Sequence, residues 1–357
     1  MVGSSPPPRP PCGRPPKTFW GRHDNGGGMK LTAAAFFLTL LGFAMVVALL
    51  AVHGFAEVWQ AFSVAGWGIL LASLVHIFPL MMSAWAWQYI NLGKKLPPFS
   101  LMVYVLWLRG AVNNLLPVAR IGGEIVAARV LVKNGMRPSW AIASVVVDTT
   151  LSVLTVFIFD LLGIVSLGFY ATSDALTQIF IGSLVAVPII AIMFYLPRMG
   201  FFGLVGKLLK RMTPHSWGDV ATSSKRIDRA IMQLYRRRER LVWGSIILFV
   251  SWIVGALHIF VAAKALGIEL TFFEAVILEA LVQAVSSAAF AIPGALGALE
   301  FAYLFFGGLL GIAEPQALAL ALMRRVRDLI IYLPGLAAWS WSEGRWWWLR
   351  RKKKEKN

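Results

Sequence analysis

The chain has 357 residues, of which 58% are hydrophobic and 14% are charged, and its mean hydropathy is +0.70. This composition is typical of a membrane protein with several spans and excludes an ordinary soluble domain. The net charge of +17 would suit a nucleic-acid partner, but the basic residues are concentrated in loops and at the two ends, so we expect no such partner. The single cysteine, Cys12, excludes an intrachain disulfide and a cysteine metal site.

The histidines offer no metal site either. No two of them have the spacing of a metal-binding pair, so each is interpreted as incidental and no cofactor is expected. They are His23, His53, His76, His215 and His258.

The first 28 residues are rich in proline and glycine and are predicted to form a disordered extension. Met29 and Lys30 stand directly before an apolar run and resemble a natural start, so residues 1–28 are expected to be dispensable. The run 31–52 is too long for the core of a signal peptide and lacks a small-residue cleavage site. It is therefore interpreted as a retained transmembrane helix.

The remaining chain is predicted to form an all-α polytopic membrane domain, residues 29–342, followed by a basic tail, residues 343–357. Six apolar runs are long enough to cross a bilayer, and two further apolar regions are interrupted near a proline. The six full spans are 31–52, 66–90, 139–168, 175–196, 241–266 and 316–342, and the interrupted regions are 100–135 and 271–311.

Charge predicts the orientation of these spans. The polar loop 197–240 carries 11 Lys and Arg against 3 Asp and Glu, and the tail 343–357 carries 7 against 2. Both termini and the loop are therefore expected on the cytoplasmic side of a bacterial inner membrane. With this orientation each interrupted region must return to the side it came from, as a re-entrant or broken helical hairpin.

The two hairpins are predicted to be related as an inverted repeat, with halves at about 100–168 and 271–342. The segments PVARIGGE (117–124) and PGALGALE (293–300) align at an offset of 176 positions, which superposes their prolines and their glutamates. Interrupted helices at equivalent places in inverted halves indicate a transporter-type site near the bilayer midplane. The residues expected to shape the two tips are Pro117, Gly122, Gly123, Pro293, Gly294 and Gly297.

Ionisable residues inside the apolar regions are candidates for that site. Each costs about 2.5–3.5 kcal/mol at the centre of a spanning helix, so these side chains should face inward, pair or line a wet cavity. We expect a cationic groove in which arginines bind a lipid phosphate. The alternative is a set of ion pairs that lock the bundle, for example Asp148 with Arg324. No catalytic motif occurs, although an intramembrane transferase with Glu124 or Asp148 as base stays open.

Three segments carry a resemblance to a known family: NNLLPVARIGGEIVAARVL (113–131), IPGALGALEFAYLFFGGLLGI (292–312) and ALALMRRVRD (319–328). The chain resembles the integral-membrane, flippase-like region of lysylphosphatidylglycerol synthases and its stand-alone relatives. Its start at Met29 looks most like the stand-alone subfamily associated with hopanoid biosynthesis. The family's soluble aminoacyl-transferase domain is expected to be absent.

The resemblance implies lipid translocation and a set of site residues. Those carried over by motif match are Arg120, Glu124, Arg129, Asp148, Glu300, Arg324 and Arg327; Asn113, Asn114, Glu279 and Asp328 join them on polar helix faces. Leu296 stands where the first repeat has Arg120, so the halves are not chemically equivalent.

The predicted function is a lipid flippase or transporter, linked to hopanoid biosynthesis or transport, and passive or ion-coupled. Glu124, Asp148 or Glu300 is the expected proton carrier. The expected partners are membrane lipids, either anionic phospholipid or hopanoid, and lipid-biosynthesis enzymes; the oligomeric state is left open. The alternatives are a non-catalytic scaffold that holds such enzymes through loop 197–240, and an intramembrane lipid-modifying enzyme.

Overall fold

The computed structural model describes residues 63, 66–91, 97–116, 122–168, 218–289 and 295–355. Every regular element in these ranges is an α-helix, which confirms the all-α prediction. The helices are α1 (Gly68–Val75), α2 (Ile77–Ile90), α3 (Phe99–Leu115), α4 (Gly122–Lys133), α5 (Pro138–Leu167), α6 (Gly218–Tyr235), α7 (Arg238–Gly255), α8 (Leu257–Ala265), α9 (Phe272–Ala288), α10 (Ala298–Leu309) and α11 (Glu314–Glu355).

Three segments in the described ranges are long and apolar enough to cross a membrane. They are Gly68–Ile90, which contains α1 and α2, Pro138–Leu167, and Arg238–Ala265, which contains α7 and α8. They match the spans predicted at 66–90, 139–168 and 241–266. The predicted spans 31–52 and 175–196 and the extension 1–28 lie outside the described residues.

The sixth predicted span, 316–342, lies inside the 42-residue helix α11. Its charged residues Arg324, Arg325, Arg327 and Asp328 exclude it from the purely apolar class of spans. The helix continues to Glu355 and so includes most of the basic tail. Pro334 lies within it and removes one backbone hydrogen bond from the helical ladder.

The predicted loop 197–240 is not irregular throughout, since residues 218–235 form α6. This helix is amphipathic. Ile231 and Leu234 on its apolar face are buried in a cluster that also includes Ile90 of α2 and Val147 of α5. The opposite face exposes basic side chains, as expected for a helix at an interface between protein and water. Residues 197–217 lie outside the described ranges.

The repeat predicted at an offset of 176 positions is visible in the element bounds. Displaced by 176, α4 coincides with α10, and the first residue of α5 coincides with the first residue of α11. The turns before α5 and α11 also correspond, because Gly135 and Gly311 both have positive φ, at 92° and 79°. Glycine adopts this conformation without a steric penalty. The two halves therefore share one local design: a helical hairpin, a glycine turn and a long helix.

The halves pack reciprocally. Helix α3 of the first hairpin packs on α11, and its counterpart α9 packs on α5. These two contacts exchange when the halves are exchanged, as the contacts of a two-fold interface do. Within each hairpin the arms also touch, α3 with α4 and α9 with α10. This arrangement brings the ends of both hairpins against the long helix that follows each of them.

The contact between α5 and α9 depends on a small residue. A Cβ atom on Gly163 would overlap Ala280 of α9, whereas a Cβ on Gly308 of α10 would meet open space. We expect Gly163→Ala to lower the free energy of unfolding by about 1–3 kcal/mol, the usual cost of overpacking. Gly308→Ala, the matched control, should be neutral or mildly stabilising. Thermal unfolding of both variants in detergent checks this, and equal stability would contradict the packing described.

Candidate functional site

The first charged cluster joins the three helices of the first repeat. Arg109 of α3 pairs through Nε with Glu124 Oε2 of α4, at 2.5 Å, and through Nη1 with Asp148 Oδ2 of α5, at 2.5 Å. Asp148 is 2% exposed, whereas the Glu124 side chain is 21% exposed. One arginine thus pairs with two carboxylates, of which Glu124 is the more exposed.

The start of α4 is held against α3 by hydrogen bonds. The backbone N–H of Gly123 donates to Asn113 Oδ1 at 2.8 Å, and Asn113 Nδ2 reaches Glu124 Oε1 at 3.5 Å. A Cβ on Gly123 would lie 2.5 Å from both Asn113 Oδ1 and the Arg109 carbonyl oxygen. Glycine at position 123 therefore allows the close approach of the two backbones that places Glu124 beside Arg109.

The second hairpin uses its glutamate differently. Glu300 Oε2 accepts a hydrogen bond from the backbone N–H of Gly297 at 2.7 Å, which caps the start of α10. Arg325 of α11 donates through Nε to Glu300 Oε1 at 2.8 Å and through Nη2 to the Ala295 carbonyl at 3.1 Å. Ala295 and Gly297 both have positive φ, at 48° and 78°. This buried carboxylate thus holds an unusual backbone turn and an arginine together.

A third group of charges lies between α9 and α11. Arg324 Nη1 donates to Glu279 Oε2 at 2.9 Å, and Arg324 Nη2 donates to Gln283 Oε1 at 3.3 Å. Arg327 Nη2 donates to the neighbouring Asp328 Oδ1 at 2.7 Å. These five residues are buried, at 9% exposure or less.

Two histidines extend this group. His76 lies at the junction of α1 and α2, and its ring centroid is 5.7 Å from that of His258 on α8. Arg327 Nη1 lies 3.4 Å from His76 Nδ1, and Tyr332 Oη lies 3.4 Å from His76 Nε2. These contacts place both histidines beside the charged group. The described ranges hold no group of three or more metal-binding side chains.

The repeats place their arginines on opposite sides of equivalent glutamates. Glu124 takes its arginine from the helix before it, Arg109 on α3, and Glu300 takes its arginine from the helix after it, Arg325 on α11. At an offset of 176 positions, Thr149 corresponds to Arg325. Thr149 Oγ1 accepts a hydrogen bond from Arg109 Nη2 at 3.2 Å. The two tips therefore pair equivalent glutamates with arginines that come from different helices.

The expectation of a cationic groove stays a prediction, because Arg120 lies outside the described residues, but the arginines of the described clusters are each paired with a carboxylate. The first cluster has one arginine for two carboxylates, and the other charged pairs have one arginine for each carboxylate. The pair suggested for a locked bundle, Asp148 with Arg324, is also wrong, because each has another partner. Each arginine in these clusters is paired within the protein, and the described residues of the first cluster carry one positive and two negative side chains.

The remaining predicted site residues have varied positions. Asn114 donates through Nδ2 to the Gly110 carbonyl of its own helix at 2.9 Å. Gly122 begins α4, and Arg129 lies half-buried further along that helix. Four predicted residues lie outside the described ranges: Arg120, Pro117, Pro293 and Gly294.

Several members of the clusters were absent from the predicted site. Arg109, Arg325 and Asp160 are visible in the sequence as ionisable residues in apolar regions, and Asp160 is 8% exposed with its Oδ1 atom buried and without a hydrogen bond. The rule that every intramembrane charge is a functional candidate would have included all three.

The comparisons with known proteins place this geometry in a family. The model of the lysylphosphatidylglycerol synthase TM region matches residues 34–335, which include every described cluster. The chain belongs to this family. It is also similar to a UPF0104 membrane protein of Methanothermobacter thermautotrophicus, with 23% identity over 322 residues that cover 84% of this chain and 93% of the relative. No solved structure matches.

Family membership and the apolar spans establish a membrane protein and suggest a relation to lipid metabolism. Neither the family's description nor the name of the relative mentions hopanoids. The hopanoid association and the direction of the termini therefore stay predictions.

The first cluster makes a prediction about stability. Arg109→Gln leaves Glu124 and Asp148 without their cation and should lower the free energy of unfolding by about 3–5 kcal/mol. Adding Asp148→Asn removes one of the two stranded carboxylates and should recover much of that loss. Denaturant titration of both single variants and the double variant in detergent gives the coupling energy. Additive losses would show that Arg109 and Asp148 do not interact.

Proposed function

We propose that this protein moves phospholipids between the leaflets of a bacterial inner membrane, with both termini in the cytoplasm, and that it does not chemically change them. Its family supports a role with lipids, and its two hairpins carry charged groups where a polar head group would need partners inside the bilayer. The hairpin ends are proposed to be re-entrant tips that face each other from the two halves of the repeat.

The observation that carries the proposal is the unequal charge of the first cluster. Arg109 is shared by Glu124 and Asp148, and Glu124 remains partly accessible. A carboxylate with an incomplete partner favours a head group that contains an amine. The arginines of the second repeat, such as Arg324, supply a partner for the phosphate when their own ion pairs open. Both features together favour a zwitterionic phospholipid over a purely anionic one.

The hairpin structure explains how such a site could work. Glu124 stands in the first turn of α4, and Glu300 stands in the first turn of α10. Each is bound to an arginine on a neighbouring helix, so movement of either hairpin against its partner helix must break or stretch an ion pair. A head group that replaces the lost partner would lower the cost of that movement, which is the differential interaction that transport requires.

Leaflet exchange in liposomes tests the proposal. The purified protein should accelerate exchange of labelled phosphatidylethanolamine more than that of labelled phosphatidylglycerol or a labelled hopanoid. Glu124→Gln should reduce phosphatidylethanolamine exchange at least about tenfold, because one charged partner of the amine is lost. Glu269→Gln, an exposed carboxylate change outside the clusters, is the matched control.

Each outcome has a distinct meaning. Exchange that is faster for the hopanoid would replace the proposed cargo and support the hopanoid association. Exchange that is unaffected by Glu124→Gln would remove Glu124 from the path. A folded protein that exchanges none of the three lipids would contradict the translocase proposal, and a changed lipid mass after incubation would identify an enzyme instead.

A scaffold for lipid-biosynthetic enzymes is the second candidate, and helix α6 favours it. Its exposed face carries Lys225, Arg226 and Arg229, which would suit an acidic partner or anionic head groups. Replacing all three by glutamine should remove enzyme partners from a scaffold. The same variant should keep its exchange activity in liposomes of the purified protein if the protein is a translocase.

A further inference from the structure

His258 has a defined tautomer in its neutral form. Its Nδ1 atom lies 2.6 Å from the carbonyl oxygen of Gly255. A carbonyl oxygen only accepts, so Nδ1 carries the hydrogen and Nε2 carries the lone pair. The ring is 3% exposed and belongs to α8, on the third apolar span. Any further proton must therefore bind at Nε2.

Charged groups of both signs surround Nε2. Nε2 lies 3.8 Å from Glu279 Oε2 and has no hydrogen-bond partner. The hydroxyl of Tyr303, which lies beside Arg324, is also buried. Both side chains line a cavity of about 10 Å³ together with Arg324 and Arg327, which is about the space for one water molecule. Glu279 favours a proton on Nε2, whereas Arg324 and Arg327 oppose it for as long as they face His258.

Glu279 thus has two alternative cationic partners. In the structure its Oε2 atom accepts from Arg324 at 2.9 Å, and the same atom faces His258. Besides Tyr303 of α10, the other charged or titratable groups around the pair come from three further places. They are Arg327 and Asp328 of α11, His76 at the junction of α1 and α2, and Asp160 of α5.

We propose that His258 and Glu279 bind a transferable proton between Nε2 and Oε2, and that this proton is the coupling ion of the transporter. The proton enters from water and adds to the Nε2 lone pair, and the resulting imidazolium forms an ion pair with Glu279. The hydrogen bond from Nδ1 to Gly255 is kept in both forms. This assigns the proton to a pair that differs from the carboxylates of the hairpin tips.

The coupling follows from the charge balance and rests on the proposed function. Arg324 and Glu279 neutralise each other when no lipid is bound. If Arg324 turns to a lipid phosphate, Glu279 loses its cation, and a proton on His258 replaces it. Phosphate binding and proton binding therefore favour each other, and thermodynamic linkage requires the effect to be reciprocal. The buried cluster keeps the same net charge with and without the lipid.

Histidine NMR of the full chain in nanodiscs tests the proton site without any transport measurement. His258→Gln assigns the His258 signal. In phosphatidylethanolamine discs this signal should titrate between about pH 5 and 9, and Glu279→Gln should weaken proton binding at least about tenfold, since a nearby carboxylate stabilises the imidazolium. Discs of a galactolipid that lacks phosphate should weaken it as well. A His258 signal that does not titrate in this range would overturn the proton site.

Lipid exchange under a pH gradient tests the coupling. Exchange of labelled phosphatidylethanolamine by the unmodified protein should change several-fold when a gradient is imposed, and His258→Gln should abolish this response while His215→Gln retains it. Exchange that ignores the gradient in the unmodified protein would overturn the coupling and leave the translocase proposal standing. If the unmodified protein shows no exchange at all, the proposed function fails, and the NMR titration still decides whether the proton site exists.

Discussion

The lipid interior supplies no water to buried charges, and this constraint organises the described part of the molecule. The ion pairs of Arg109, Arg324 and Arg325 each join two packed elements. Arg109 ties α3 to α4 and α5, Arg324 ties α11 to α9, and Arg325 ties α11 to the start of α10. Removing one partner would leave a stranded charge, so these residues determine both how the hairpins are held and what a bound molecule must replace.

The repeat and the described apolar spans could be predicted from the sequence because both depend on local pattern. Run lengths of apolar residues predicted the spans, and the offset between Glu124 and Glu300 predicted helices α4 and α10 as equivalent elements. The glycine turns agree with the predicted repeat as well, since Gly135 and Gly311 both have positive φ and occupy the same place in it. These features require no knowledge of which helix faces which.

The partners of the charged residues could not be predicted because they depend on helix rotation and on contacts between distant segments. Asp148 was expected to pair with Arg324, but it pairs with Arg109, which lies 39 positions away in the sequence. His76 lies at the junction of α1 and α2, and His258 lies two residues after the junction of α7 and α8; no spacing in the sequence predicts that the two rings meet. The number of arginines suggested a cationic groove, but the charge of a folded site depends on pairing. Each arginine in the described clusters pairs with a carboxylate.

The opposite origin of the two tip arginines has a consequence for the proposed alternation between inward-open and outward-open states. In a symmetric inverted repeat, exchanging the conformations of the halves would give two states of equal free energy. Here the exchange would strain the Arg109–Glu124 ion pair in one half and the Arg325–Glu300 ion pair in the other. These pairs involve different helices, so the two states differ in free energy. A difference of about 1.4 kcal/mol would give a tenfold preference for one state at rest. The protein without bound lipid would then occupy mainly one of the two states. Its site would be open mainly to one leaflet, and lipids would bind from that leaflet first.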